Sequence, residues 1–341
     1  MPPPLLYVFN NFVSIKFLEK SEFEFIETVR RRYNLSKIGD DCAVLPKDSK
    51  TDLVITTDLL VEDIDFRLDW TTPEFIGHKA LAVSLSDVAA MGAKPVWAML
   101  SIGVPASVWK TDFVEKLYDG WFAPAKKFNV ELVGGDVSKT SDKIVIDSIV
   151  AGEVKRGKAV LRSGAKVGDL IYVTNELGGA AAGLTLLENG VHYSDSAKSW
   201  QRKLLLKQLQ PLPPIQMAQN LNKKNSVTAM IDLSDGLSSD LAHICRASKV
   251  GAKIFADKIP LDKNLLGLTK SFDEKLRHAL DGGEDYELLF TVSPKKKFQL
   301  ENELENRSFS HIGEITANVE IIELISGEKS SILEPKGFRH F

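Results

Sequence analysis

Along this chain, apolar strand-like runs end again and again in acids set beside glycines or hydroxyls. The blocks are Ile38-Gly39-Asp40-Asp41, Thr56-Thr57-Asp58, Val133-Gly134-Gly135-Asp136, Ile231-Asp232-Leu233-Ser234-Asp235-Gly236 and Gly282-Gly283-Glu284-Asp285. One such block is ordinary turn chemistry, but five are more than turns require. Asp87 sharpens the constraint, because it lies inside the helical stretch 80–91 among residues that belong in a core. A lone buried carboxylate is costly, so Asp87 either hydrogen-bonds at a helix end or ligates a metal, and the metal is the favoured reading. Asp, Glu and Thr oxygens without a Cys or His cluster describe a hard-cation site, so magnesium is expected rather than zinc. The six histidines are scattered, and none falls in an H-E-x-x-H pattern.

The periodicity around these blocks is mixed. Ser21-Glu22-Phe23-Glu24 reads as a capping box opening a helix with Phe25, Ile26, Val29 and Tyr33 on one face. The Arg30, Arg31 and Arg32 that follow suit a helix C-terminus rather than an anion site. Thr72, Pro73 and Glu74 read as N-cap, first residue and first-turn acid of a helix running to Gly92, and another helix is expected over 108–128. Strands are expected at 53–57, 97–104, 130–133 and 143–151. The second half repeats the mixture: strand 171–174, helix 178–188, a Pro-rich loop 210–214 before another helix, strand 227–231, helix 238–248 and strand 286–292. A composition change near Gly152 puts a domain boundary there. The expected division is an N-terminal extension over 1–20, a first domain over 21–152 and a second over 153–341. The 341 residues suffice for about two domains, and α/β and α+β architecture fits both halves.

Carboxylates that gather magnesium usually serve a polyphosphate. Gly152 to Ala159 nearly matches a P-loop, but Ala159 lacks the required hydroxyl and 163–168 leaves no room for the helix that would hold the phosphates. Gly134-Gly135 and Gly178-Gly179 remain as places where backbone amides can approach phosphate. Arg162 offers a bidentate fork or is a plain surface arginine. Ser234 and Ser238 have acids nearby but no base in a triad, since His243 is a turn along a helix, so covalent catalysis is not expected.

Composition excludes other classes. Lys+Arg 43 against Asp+Glu 46 gives a net charge of −3, no field for nucleic acid or an anionic membrane. The longest apolar stretch, 80–97, is cut by Asp87 and Lys94, so no membrane span is expected. Two distant cysteines, Cys42 and Cys245, fit a reducing, cytoplasmic compartment.

Read together, IGDDCAVL from Ile38, TTDLLVEDIDF from Thr56, KALAVSLSDVAAMGAKP from Lys79, GGD at Gly134, LRSGAKVGD from Leu161, IDLSDGLSSDL from Ile231 and GGEDYELLFTV from Gly282 resemble the thiamine-monophosphate kinases. That family lies in the aminoimidazole ribonucleotide synthetase superfamily. The resemblance implies ATP-dependent, in-line phosphorylation of thiamine monophosphate to thiamine diphosphate with several Mg²⁺ ions. It implies an N-terminal domain that forms a β-barrel across a homodimer and an α+β domain covering the cleft. It assigns magnesium to Asp41, Thr56, Thr57, Asp58, Asp87, Asp136, Asp232 and Asp235, and the nucleotide to Gly135, Asp136, Arg162 and Ser234. Asp58, Asp87, Asp136 and Arg162 would be catalytic, and Glu284 and Phe338 would meet the thiamine. Three features depart from the family pattern: Asp65 replaces a histidine and Asp63 a glycine, Val137 replaces the threonine of GGDT, and 1–20 has no counterpart. Asp65 is expected to contact the substrate's cationic or amino groups, against the alternative of solvent or Arg67. Selenophosphate synthetase or aminoimidazole ribonucleotide synthetase chemistry is the enzyme alternative, and a binding scaffold without turnover is the alternative from another class.

Overall fold

The computed structural model describes residues 22–303 and 308–338. The extension 1–20 and the cap expected at Ser21 lie outside them. The chain divides into two units, one containing residues 22–36 of those described and the other Lys37–Phe338. In the first, α1 (Glu22–Arg32) carries Glu27 paired with Arg30 at 3.2 Å and Arg31 at 2.6 Å, so two of the three arginines are engaged within their own helix.

The second unit holds two mixed sheets. The five-stranded one contains β1 (Ala43–Pro46), β2 (Thr51–Val61), β3 (Lys94–Pro105), β4 (Glu131–Thr140) and β5 (Val145–Lys155) in the order β1-β2-β5-β3-β4. Only β3 and β4 run parallel in it. The seven-stranded one contains β6 (Leu170–Thr174), β7 (Val227–Asp232), β8 (Gly251–Phe255), β9 (Leu288–Val292), β10 (Phe309–Thr316), β11 (Ile322–Ser326) and β12 (Lys329–Ile332), ordered β12-β11-β8-β10-β6-β9-β7. Its one parallel pair is β8 with β11. The α-helices are α2 (Pro73–Ala90), α3 (Ala106–Trp109), α4 (Phe113–Phe128), α5 (Gly179–Glu188), α6 (Ser199–Leu209), α7 (Ile215–Lys223), α8 (Leu237–Ser248), α9 (Phe272–Asp281) and α10 (Lys297–Glu303).

In β2 the alternating burial of Asp52, Val54, Thr56 and Leu60 turns one face of the first sheet toward α2, as period 2 demands. α2 is buried on nearly every side: Ile76 to Ser86 and Val88 to Ala90 are all inaccessible. Its core runs on without a break into the second sheet, since Leu81, Leu85 and Val88 share a cluster with Tyr172, Met230 and Phe290. Small residues make this possible. A Cβ at Gly77 would stand 1.8 Å from the Leu117 carbonyl oxygen, and one at Gly120 would stand 1.9 Å from that of Glu74, so α2 and α4 cross backbone to backbone.

The structure differs from the sequence expectations in several ways. The helix expected over 108–128 is broken, because Thr111 Oγ1 donates to Val108 O at 2.7 Å and accepts the Phe113 N–H at 3.2 Å. Thr72 makes no side-chain cap bond. The strands expected at 130–133 and 143–151 extend to Thr140 and Lys155. β8, β10, β11, β12 and α6 carry no periodicity strong enough to have been anticipated, whereas α9 was missed although it is amphipathic and Ser271 caps it by accepting the Glu274 N–H at 3.3 Å. The first sheet is open, with β1 and β4 as edges, and no closed barrel occurs among the described residues. No helix among them is long and apolar enough to cross a membrane.

The crossing of α2 and α4 is open to test. Gly77→Ala should cost about 1 to 3 kcal/mol or more in urea unfolding, because a methyl group cannot enter without separating two backbones. A cost under about 0.5 kcal/mol would show that the helices can slide apart freely.

Candidate active site

Three elements converge on one point. Asp41 precedes β1, Asp87 lies in the last turns of α2, and Asp232 ends β7; their carboxylate oxygens lie within 4.8 Å of one another. α2 supplies hydroxyls around them. Ser86 Oγ donates to Asp232 Oδ2 at 2.7 Å, and Ser84 Oγ donates to Asp58 Oδ2 at 2.6 Å. From β2, the Thr56 hydroxyl donates to Asp87. Ser84 and Ser86 were not singled out in the sequence, although the signal was there: they are small polar residues beside Asp87 in an otherwise apolar helix.

Burial makes this gathering of charge expensive. It pushes Asp58 up to about 6 against the Ser84 hydrogen bond, and with the Asp41 charge it pushes Asp232 up to about 8. Asp87 is raised well above the carboxylate range by desolvation and then by Asp58, Asp232 and Asp41. Asp40 is likewise raised to about 7, by burial and then by Asp41. Among the described residues the cation in contact is Arg162. Its Nε and Nη2 donate to Asp41 Oδ1 at 2.9 and 2.5 Å, and its backbone N–H donates to Asp40 Oδ1 at 3.1 Å. Asp41 remains raised by burial even so, and its Oδ2 is buried without a hydrogen-bond partner. An orphaned acceptor beside two further carboxylates, with hydroxyls and no thiol ligand, is a donor set that fits a hard divalent cation.

The remaining expected residues lie around this point. Leu59 pairs with Asp147, Asp147 with Ser101 and Ser101 with Asp136, so these four share a row on the outward face of the first sheet. Thr57 belongs to the same face and donates to Asp147 Oδ1 at 2.6 Å. Thr57 and the exposed Asp136 are thus across the sheet from Asp58 and Thr56. A Cβ at Gly135 would stand 1.9 Å from Leu100 O, so this glycine lets β4 lie against β3. Asp235 belongs to a second group with Asp240 and His243 at the start of α8. Ser234 offers its carbonyl to the Glu284 N–H at 2.8 Å, and Phe338 N donates to Asp235 O at 3.2 Å. Glu284 pairs with Lys79 at 2.5 Å. Asp65 Oδ2 accepts the Val61 N–H at 2.7 Å and so closes the turn after β2, while Arg67 pairs with Asp69. Asp63 sits at φ +72, the left-handed conformation that glycine adopts without strain.

Two further sets of hydrogen bonds bear on residues named in the sequence. The amides at Gly178 and Ala180 donate to Asp285 at 2.6 and 3.1 Å, so these two donors of the turn are taken up from within the protein. Ser238 Oγ donates to Asp281 and accepts the Lys336 N–H, which uses that hydroxyl structurally.

Comparison with known proteins bears on this site. Residues 39–154 match the model of the AIR synthase related protein N-terminal domain, and residues 166–324 match that of its C-terminal domain. The thiamine-monophosphate kinase of Buchnera aphidicola subsp. Acyrthosiphon pisum is 39% identical over 334 residues, covering 95% of this chain and 100% of the relative. That of Escherichia coli K12 is 39% identical over 308 residues, covering 89% and 91%. The chain belongs to the thiamine-monophosphate kinase family. A solved structure named "AaThiL complexed with AMPPCP and TMP" superposes with a TM-score of 0.82 at 33% identity, covering 95% of this chain and 98% of that one. The fold is accordingly the two-domain α/β fold of AIR synthase related proteins, with mixed sheets. Within this kinase family fold, the converging acids fall where both matched domains contribute, Asp41 and Asp87 from the first and Asp232 from the second.

Asp87 allows a pH test on metal-free, nucleotide-free protein. An acid whose folded pKa is raised takes up a proton on folding, so its share of stability declines as pH climbs from about 4 toward the folded value. Asp87→Asn removes that decline. The variant should gain about 1 kcal/mol or more over wild type at pH 8 and less at pH 5, followed by thermal melting, while kinase turnover falls by orders of magnitude. A variant less stable than wild type at both pH values would make Asp87 a structural hydrogen-bond partner.

Proposed function

We propose that this chain transfers the terminal phosphoryl group of ATP in line to thiamine monophosphate, giving thiamine diphosphate and ADP. The observation that carries the reading is the meeting of Asp41, Asp87 and Asp232 at one point in a member of this kinase family. The acceptor is already an anionic phosphate, so no base is needed and the obstacle is repulsion between two polyanions. Bound Mg²⁺ would neutralise part of that charge. Asp41, Thr56, Asp58, Asp87 and Asp232 are the residues we assign to hold one such ion, with Thr57 and Asp136 on the outward sheet face and Asp235 in the loop before α8 assigned to further ions. Arg162 is assigned to the nucleotide phosphates, for which its fork geometry is suited, and Gly135 and Ser234 to the nucleotide beside it. Glu284, Phe338 and Asp65 are assigned to the thiamine end.

The same reading divides the chain near residue 153 into an ATP- and Mg²⁺-binding domain over 21–152 and an α+β domain over 153–341 that adds Arg162, Asp232, Ser234 and Asp235 to the site. It also includes a homodimer. Leu59 and Met99 are exposed on the outward face of the first sheet, and Val133 and Val137 are exposed on its edge strand β4. A second copy laid on that face would cover them and close the sheet into a barrel. Cys42 and Cys245 are free and buried, which supports a cytoplasmic location.

Incubation with ATP, Mg²⁺ and thiamine monophosphate should yield thiamine diphosphate and ADP in equal amounts by chromatography, and EDTA should abolish both. Free thiamine should be a poor acceptor, since its hydroxyl is un-ionised and no base is assigned to it. Release of inorganic phosphate without thiamine diphosphate would count against the reading. Light scattering at micromolar concentration should report a dimer, and an active monomer would remove the barrel from it.

A further inference from the structure

Glu284 is held by more groups than a surface turn requires. Lys79 of α2, only 5% exposed, places its ammonium on one carboxylate oxygen at 2.5 Å, and the Tyr286 hydroxyl lies 3.4 Å from the same atom. Gln208 of α6, also 5% exposed, donates its amide to the other oxygen. The Glu284 backbone is in the left-handed region at φ +68, with its N–H on Ser234 O. Gln208 shows that this arrangement has a cost, because its own Oε1 is buried without a partner. The amide is turned to serve Glu284 at the expense of its own acceptor. The carboxylate itself stays open, with 27% of its side chain exposed.

The position is informative too. Lys79 and Ser86 are seven residues apart on α2, so they share a helical face about 10 Å apart. Ser86 binds Asp232 of the acid cluster, and Lys79 binds Glu284. The two carboxylate sites therefore sit at opposite ends of one face, the layout that suits an acceptor with a phosphate at one end and donor nitrogens at the other. We propose that Lys79 and Gln208 are positioning residues that fix the Glu284 carboxylate as acceptor for the nitrogen donors of the substrate's heterocyclic end. The inference rests on thiamine monophosphate being the acceptor.

Steady-state kinetics of Lys79→Met, Gln208→Leu, Glu284→Gln and the Lys79→Met/Glu284→Gln double variant test it. Each single change should raise KM for thiamine monophosphate about tenfold, the worth of one charged hydrogen bond, with KM for ATP changed less than about twofold. The double variant should be no worse than Glu284→Gln alone, because Lys79 acts only through that carboxylate. Gln208→Leu removes an amide whose oxygen is already unpartnered, so it keeps the fold and decides the matter if Lys79→Met does not. Effects that multiply in the double variant, or an equal rise in KM for ATP, would overturn the inference alone. A wild-type protein that does not phosphorylate thiamine monophosphate would overturn the functional reading and the inference with it.

Discussion

Asp41, Asp87 and Asp232 bring carboxylate oxygens within 4.8 Å of one another, Asp41 and Asp232 buried and Asp87 half-buried, and among the described residues Arg162 is the cation in contact with them. Like charges at that separation repel strongly wherever the local dielectric is low, and burial adds a desolvation cost for each. The Arg162 guanidinium donates to Asp41 Oδ1, and the other oxygen of that carboxylate has no hydrogen-bond partner. The surroundings must therefore hold the acids together by other means. Ser84, Ser86 and Thr56 do so with single hydroxyls, each directed at one carboxylate.

That duty explains the composition of α2. A helix carrying a charged residue into a core must be fixed on all sides, and α2 is packed against the first sheet, α4 and the second sheet at once. Gly77 and Gly120 allow the backbone contact with α4 that brings it close enough, and the alanines and serines near Asp87 admit the neighbouring sheets without steric conflict. The same helix then organises the opposite end of the cleft through Lys79 and Glu284. One rigid element thus sets the spacing between a charge-gathering end and a partly exposed carboxylate end. The outward sheet face is different in character: Leu59, Asp147, Ser101 and Asp136 form a row across it, and Thr57 on the same face donates to Asp147.

Much of this was readable in the residues. The acid blocks, the buried-helix context of Asp87 and the absence of thiol or histidine clusters pointed to a hard-cation site, because the cost of burying a carboxylate depends on local apolar sequence. Apolar runs located β3, β7 and α8 closely and the Thr72-Pro73-Glu74 start located α2, while β2 runs from Thr51 to Val61, well beyond the expected 53–57. The weaker strands β8 and β10 to β12 were silent. Their residues are made strand-like by pairing with distant partners, as β8 is by β10 and β11, and not by local preference.

The residue types alone indicated a donor set suited to a hard cation and showed that both halves mix strands with helices. Tertiary structure alone decided which of those acids meet. Asp58 and Asp136 read alike in sequence, yet the alternation of side chains in β2 and the pairing across β5 and β3 send them to opposite faces. Likewise Asp285 and Glu284 are neighbours, but one caps the amides of the Gly178 turn while the other is turned toward Lys79 by a left-handed backbone. Which side of a strand or turn a carboxylate occupies depends on contacts between segments far apart in the chain, and that information is absent from any local stretch of it.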